Sequence, residues 1–133
     1  MNILIEGWRG INHSFSLVNQ WQILELLKSC EVYFNDVPFV SNKWNSEKNY
    51  SGLEKNLSDL INNLPNPKKD QLHDITYRIS FPSNFDNRFK SKILFVFGNC
   101  ETKILSKNKY INNTPEKIKN NKNFFIHTPS NWC

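Results

Sequence analysis

Residues 2–28 read as a strand, a glycine-bearing loop and a helix, and that order constrains the fold more than any other stretch of the chain. Ile3, Leu4 and Ile5 form an unbroken apolar run, the pattern of a parallel strand covered on both faces. Gly7 and Gly10 bracket Trp8 and Arg9, so the backbone there can turn sharply or come close to a ligand. Leu17, Val18, Trp21, Leu24 and Leu27 then recur at helical spacing, and Lys28 follows where a helix C-terminus favours a cation. In open α/β sheets, ligands bind beyond the carboxyl ends of the strands, close to helix N-termini. The loop from Gly7 to Ser14 occupies such a place.

The rest of the chain repeats the alternation. Residues 31–35 (EVYFN) read as a second strand, and Pro38 argues against extending it. Residues 41–50 are polar with two aromatics and read as a loop over the carboxyl edge of the sheet. Ser51 and Glu54 have capping-box spacing, Leu53, Leu57, Leu60, Ile61 and Leu64 mark one helix face, and Pro65 ends the helix. Residues 75–81 (ITYRISF) read as a third strand. Residues 92–98 (KILFVFG) are the strongest strand signal, with five consecutive apolar residues that predict a central, buried position. Thr114 and Pro115 open a short helix, and residues 123–127 (NFFIH) read as a fifth strand.

Strands alternating with helices predict an α/β domain with a parallel sheet of about five strands, in the order 3-2-1-4-5, with helices on both faces. That order would set the loop after the first strand beside the loop after the fourth, so that Trp8 to Ser14 and Asn99 to Thr102 line one cleft.

The chain's 133 residues suit one domain with a real core. No apolar run approaches the ~18–20 residues of a membrane helix, and no signal peptide is evident, so a cytoplasmic location without a transmembrane segment is expected. Cys30, Cys100 and Cys133 are far apart, which reads as reduced thiols. His13, His73 and His127 are equally scattered, and no metal-ligand spacing is present. The net charge of +5 allows a nucleic-acid surface, but the lysines are dispersed and no aromatic-basic binding motif accompanies them. Lysine and asparagine bias of this kind also arises from AT-rich coding, and no nucleic-acid partner is expected.

Taken in order, several stretches resemble the N-terminal domain of GT-B fold glycosyltransferases, in the large retaining "group 1" family. They are residues 3–14 (ILIEGWRGINHS), 77–82 (YRISFP), 95–101 (FVFGNCE) and 124–132 (FFIHTPSNW). The resemblance implies a Rossmann-like domain over residues 1–127, with 128–133 the start of an interdomain segment. It further implies the acceptor-binding half of an enzyme that transfers a sugar from a nucleotide-sugar donor to a glycan, lipid or protein. The family's donor-gripping half has no counterpart here. The expected partners are therefore a carbohydrate or glycosylated acceptor and a donor domain supplied in trans, with no cofactor and no metal. A stand-alone glycan-binding or partner-docking module is the alternative, followed by a basic nucleic-acid-binding domain.

The candidate substrate-binding residues are Trp8, Arg9, Gly10, Asn12, His13 and Glu101; no catalytic residue is assigned. Gly10 permits close approach, and Arg9 can fork onto a phosphate or a sugar hydroxyl. Trp8 can stack on a sugar ring or pack on the sheet. Asn12 and His13 can bind ligand or serve the helix start. Glu101 can orient an acceptor hydroxyl or face water. Arg78, a cation inside a strand pattern, is expected to pair with an acidic neighbour. Trp44 and Trp132 are expected to be exposed.

Overall fold

The computed structural model describes residues 1–40, 42–44, 52–81, 83–98, 110–111 and 120–128. The elements in chain order are β1 (Asn2–Gly7), α1 (Ser14–Leu26), β2 (Glu31–Asp36), α2 (Lys55–Asn62), β3 (Ile75–Arg78), β4 (Ser83–Asn84), β5 (Ile93–Phe97), β6 (Tyr110–Ile111) and β7 (Phe124–His127). Five of them form one sheet in the order β2-β1-β3-β5-β7, with every neighbouring pair parallel. Strands β4 and β6 form a separate parallel pair. The α/β class and the five expected strands are as the sequence predicts.

The strand order departs from expectation. Counted as the five predicted strands, it is 2-1-3-4-5 rather than 3-2-1-4-5. The second neighbour of β1 is therefore β3, and two charges meet across that boundary. Glu6 of β1 and Arg78 of β3 are register partners, and the carboxylate is bonded by the guanidinium. Either charge alone inside a sheet would be costly; side by side they satisfy each other. The switch point consequently falls between β1 and β3, and the loop after β1 adjoins the chain leaving β2 and β3.

Alternation sorts the sheet into two faces. Ile3, Ile5, Val32 and Phe34 share one face, where Ile23 of α1 and Ile61 and Leu64 of the α2 region complete an apolar cluster. Both described helices thus lie on this face. The opposite face carries Leu4, Glu6, Thr76, Arg78, Leu94 and Val96, all buried. Among the described residues, the link between β3 and β5 reaches this face, where Phe85 packs edge-on to Phe124 and Arg88 bonds Glu6. Residues 83–92 hold Phe85 and Phe89 as their only apolar residues and form no helix. Asn87 instead ties a turn, accepting from the Ser91 amide at 3.0 Å and donating to the Ser91 carbonyl at 2.6 Å.

Helix α1 also seats itself differently from its sequence pattern. Its buried residues are Ser16, Asn19, Gln20 and Ile23, whereas Leu17 and Trp21 are 36% and 61% exposed. The cause is the close approach to β1. A Cβ on Gly7 would stand 2.3 Å from Asn19 Nδ2 and 2.6 Å from the Ile79 carbonyl oxygen, so a side chain here would collide with the backbone leaving β3 and displace Asn19. Asn19 then donates to the Trp8 carbonyl at 3.0 Å. The helix is held by small and polar contacts to the β1 loop, and its leucine stripe is turned partly outward.

Strand β2 is an edge, and the chain covers it. The Phe34 amide donates to the Pro65 carbonyl at 3.0 Å, and the His73 ring stands 5.1 Å from that of Tyr33. Helix α2 begins after Glu54, which makes no side-chain cap bond; Ser51 lies outside the described residues. The expected helix at Thr114 also lies outside them.

His73 is buried, and neither ring nitrogen has a hydrogen-bond partner. Burial holds its imidazole below the ordinary value of 6.5, against weaker raising effects from Glu31 and Asp74. The unfolded chain therefore takes up a proton before the folded chain does. Stability is full above pH ~6.5 and falls as the pH drops through that value toward the folded one. Asp74, held low chiefly by its bond from Lys92, loses its contribution only as pH falls through 3.8 and below. We expect His73→Phe to abolish the first decline and to add about 1 kcal/mol by removing the unpartnered nitrogens. Urea titrations on either side of pH ~6.5 check it.

Candidate functional site

Three segments meet at the carboxyl edge: the loop after β1, residues 36–44, and residues 79–88. Gly10 lies in the first with φ 69, a left-handed conformation that favours glycine. It turns the chain from β1 into α1.

The sequence candidates in this loop are placed, and most hold the loop together. Trp8 is 1% exposed. Its Nε1 donates to the Pro38 carbonyl at 3.2 Å, and its ring meets Phe15, His13 and Trp44 with centroids 6.0, 5.2 and 5.0 Å away. It is packing beneath the loop and not an exposed surface. Trp44 is half-buried against Trp8, His13 and Phe39 rather than exposed. Arg9 forks onto Asp36, with Nε 3.1 Å from Oδ1 and Nη2 2.8 Å from Oδ2. Its Nη1 donates to the Ile61 carbonyl at 2.7 Å, and the guanidinium lies 4.5 Å above the Phe34 ring. Arg9 thereby ties the β1 loop to β2 and α2.

His13 is the N-cap of α1. Its backbone is extended, and Nδ1 accepts from the Phe15 amide at 3.2 Å. Asn12, beside it, is exposed. A histidine serves here because its ring also packs on Trp8 and Trp44, which a shorter cap cannot do. We expect His13→Ala to cost about 1 kcal/mol through loss of the cap, and His13→Asn to restore part of it; denaturant melts of the two variants measure this.

Glu101 and Trp132 lie outside the described residues. His127 sits at the end of β7, with Nδ1 2.5 Å from the Tyr77 hydroxyl. Burial raises the Tyr77 pKa, partly offset by the Gln22 bond.

Sequence reasoning paired Arg78 with an acidic group but did not find what surrounds it. Glu6 is fully buried, and its carboxylate binds two arginines and an amide. Arg78 Nε donates to Oε2 at 2.7 Å, and Arg78 Nη2 bonds the same oxygen. Arg88 reaches Oε1 with Nε at 3.2 Å and Nη2 at 2.7 Å, and Asn35 Nδ2 reaches it at 3.0 Å. Arg78 Nη1 donates to the Asn84 carbonyl at 2.6 Å. A lone carboxylate after Ile3-Leu4-Ile5 was the available sign of this cluster. Arg88, in a segment without periodicity, gave none.

Two cavities open here, on either side of the segment 37–39. One, of about 460 Å³, is lined by Arg9, Gly10, Asp36, Pro38, Phe39 and Asn62. The other, of about 330 Å³, has Arg78, Arg88, Ser80 and Asn84 on its polar side and shares Pro38 and Phe39 with the first. Both are in the size range of small-molecule sites. Among the described residues, no group of three or more His, Cys, Asp or Glu is placed to hold a metal ion. No helix among them is long and apolar enough to cross a membrane. No protein family, curated protein or solved structure matches the chain, and its chemistry is read from the site itself.

Proposed function

We propose that this chain is a carbohydrate-binding α/β domain, the acceptor-side half of a sugar transferase whose donor-binding half is supplied by another domain. The observation that carries the reading is the cavity between Arg9, Asp36, Phe39 and Asn62 at the carboxyl edge of β1 and β2. A saccharide offers hydroxyl groups that both donate and accept, together with apolar C–H faces. Asp36 supplies acceptor oxygens, its side chain being 58% exposed yet oriented by the Arg9 fork. Asn62 supplies both donor and acceptor capacity. Phe39, 37% exposed, offers a ring against which a sugar face can lie. The resemblance of residues 3–14 to the acceptor-side loop of GT-B enzymes supports the same assignment. In this reading Arg9 is a positioning residue, because its fork is spent on Asp36 and its effect reaches the ligand through that carboxylate.

The test is a titration of the isotopically labelled chain with neutral mono- and disaccharides, followed by amide chemical shifts. Saturable shifts confined to Arg9, Gly10, Asp36, Phe39 and Asn62, lost in Asp36→Ala, are expected. Absence of saturable shifts across the saccharide panel would overturn the reading.

A further inference from the structure

We propose that Arg78 and Arg88, gathered by Glu6, form an anion site that takes the phosphate of a small phosphorylated ligand. The site is distinct from the saccharide cavity. It lies on the other side of the segment 37–39 and shares with it only Val37, Pro38 and Phe39.

Charge is the first argument. Two guanidinium groups converge on one carboxylate, and the third partner, Asn35, is neutral. One formal positive charge is left over at the end of β1 and β3. Arg88 makes its ion pair with Glu6.

Geometry is the second. Glu6 engages Arg88 through Nε and Nη2, on one edge of the guanidinium. No hydrogen bond among the described residues uses Arg88 Nη1. The Arg88 side chain is 49% exposed, while that of Arg78 is 2% exposed, and both line the cavity of about 330 Å³. One arginine is thus reachable and the other supports the field from below. A guanidinium already oriented by a buried carboxylate loses little freedom when an oxyanion arrives. Ser80 and Asn84, on the same wall, add a hydroxyl and an amide. A phosphate, with three terminal oxygens, can use more of these lining donors than a carboxylate with two. Pro38, Phe39, Val40 and Phe81 form the apolar side and can seat a carbon skeleton. The position, between β1 and β3, is where an open parallel sheet presents its crevice.

The experiment uses the full chain and amide chemical shifts. Inorganic phosphate and a hexose phosphate are titrated in parallel with the free hexose, acetate and chloride at matched ionic strength. Saturable shifts at Ser80, Asn84 and Arg88 with both phosphates, and not with acetate or chloride, are expected. Arg88→Gln is expected to weaken phosphate binding by about tenfold or more, the scale of a lost charge-assisted bond. Glu6 retains Arg78 and Asn35 in that variant, and thermal melting checks its fold. Lys28→Gln, an exposed cation at the far end of α1, is expected to bind phosphate like the parent. Stabilisation of the parent chain by phosphate over chloride reads the same site without any variant. Equal binding of acetate, equal losses in Arg88→Gln and Lys28→Gln, or no phosphate response in shifts and melting would overturn the proposal. Free hexose binding at Asp36 without phosphate binding at Arg88 would overturn it while leaving the carbohydrate reading in place. Phosphate binding without saccharide binding would do the reverse.

Discussion

Glu6→Gln is expected to cost the fold about 3–5 kcal/mol, the range for removing one partner of a buried ion pair. The effect is large because of what remains. Arg78 is 1% exposed and sits on a central strand with its head group on the Glu6 carboxylate. Without that carboxylate its charge has neither water nor a counter-ion. The amide of glutamine also turns a donor toward two guanidinium groups that only donate. The cluster as a whole need not be a net source of stability, since a buried pair is often matched by apolar residues of similar volume. The control follows from this. A double variant, Glu6→Leu with Arg78→Met, is expected to recover most of the loss. Arg88→Gln is expected to cost less than about 1 kcal/mol, because that side chain is 49% exposed. Urea denaturation followed by circular dichroism gives all three values. A loss in Glu6→Gln no larger than in Arg88→Gln would contradict the account of the β1–β3 junction.

Trp8→Ala is the second large effect, expected at about 3–5 kcal/mol, as for other buried aromatics cut to alanine. The ring is 1% exposed and packs on Phe15, His13 and Trp44. Removing it empties the floor beneath the carboxyl-edge loops. Trp8→Phe keeps most of the packing and gives up the bond from Nε1 to the Pro38 carbonyl, about 1 kcal/mol. The two variants separate the packing role from the alternative of a stacking platform. A platform for a sugar ring would leave stability nearly unchanged on truncation and lower saccharide affinity instead. The prediction here is the opposite ordering, with stability falling first and binding lost as a consequence.

These two residues show where sequence and structure part. The apolar run Ile3-Leu4-Ile5 announced a buried parallel strand, and the run in residues 93–97 announced another; both are central or near-central in the sheet. Continuous apolar runs are legible because burial on both faces leaves no other composition workable. The turn at Gly10 was legible for the same local reason, and α2 stops at Asn62, ahead of the Pro65 expected to end it. The loop after β1 was recognisable as part of the carboxyl edge. The use of its side chains was not. Arg9 reads as a free fork in sequence, but Asp36 and the Ile61 carbonyl, from two other elements, occupy it. His13 reads as a ligand candidate, but the Phe15 amide occupies its Nδ1.

Local pattern, then, settled the strands, the α/β class and the position of the β1 loop at the edge where such sheets bind ligands. Their order and the chemistry of that edge were decided by tertiary structure. Strand order depends on which strands can share a boundary, and Glu6 and Arg78 meet across the one between β1 and β3 although 72 positions separate them. The face of α1 that is buried depends on its contacts with the β1 loop, where Asn19 reaches the Trp8 carbonyl in the space a Gly7 side chain would fill. The arginine cluster depends on Arg88 reaching across 82 positions of sequence to the same carboxylate. A hydrophobic period carries no record of such long-range pairings, because each is a contact between residues whose neighbours in sequence say nothing of one another.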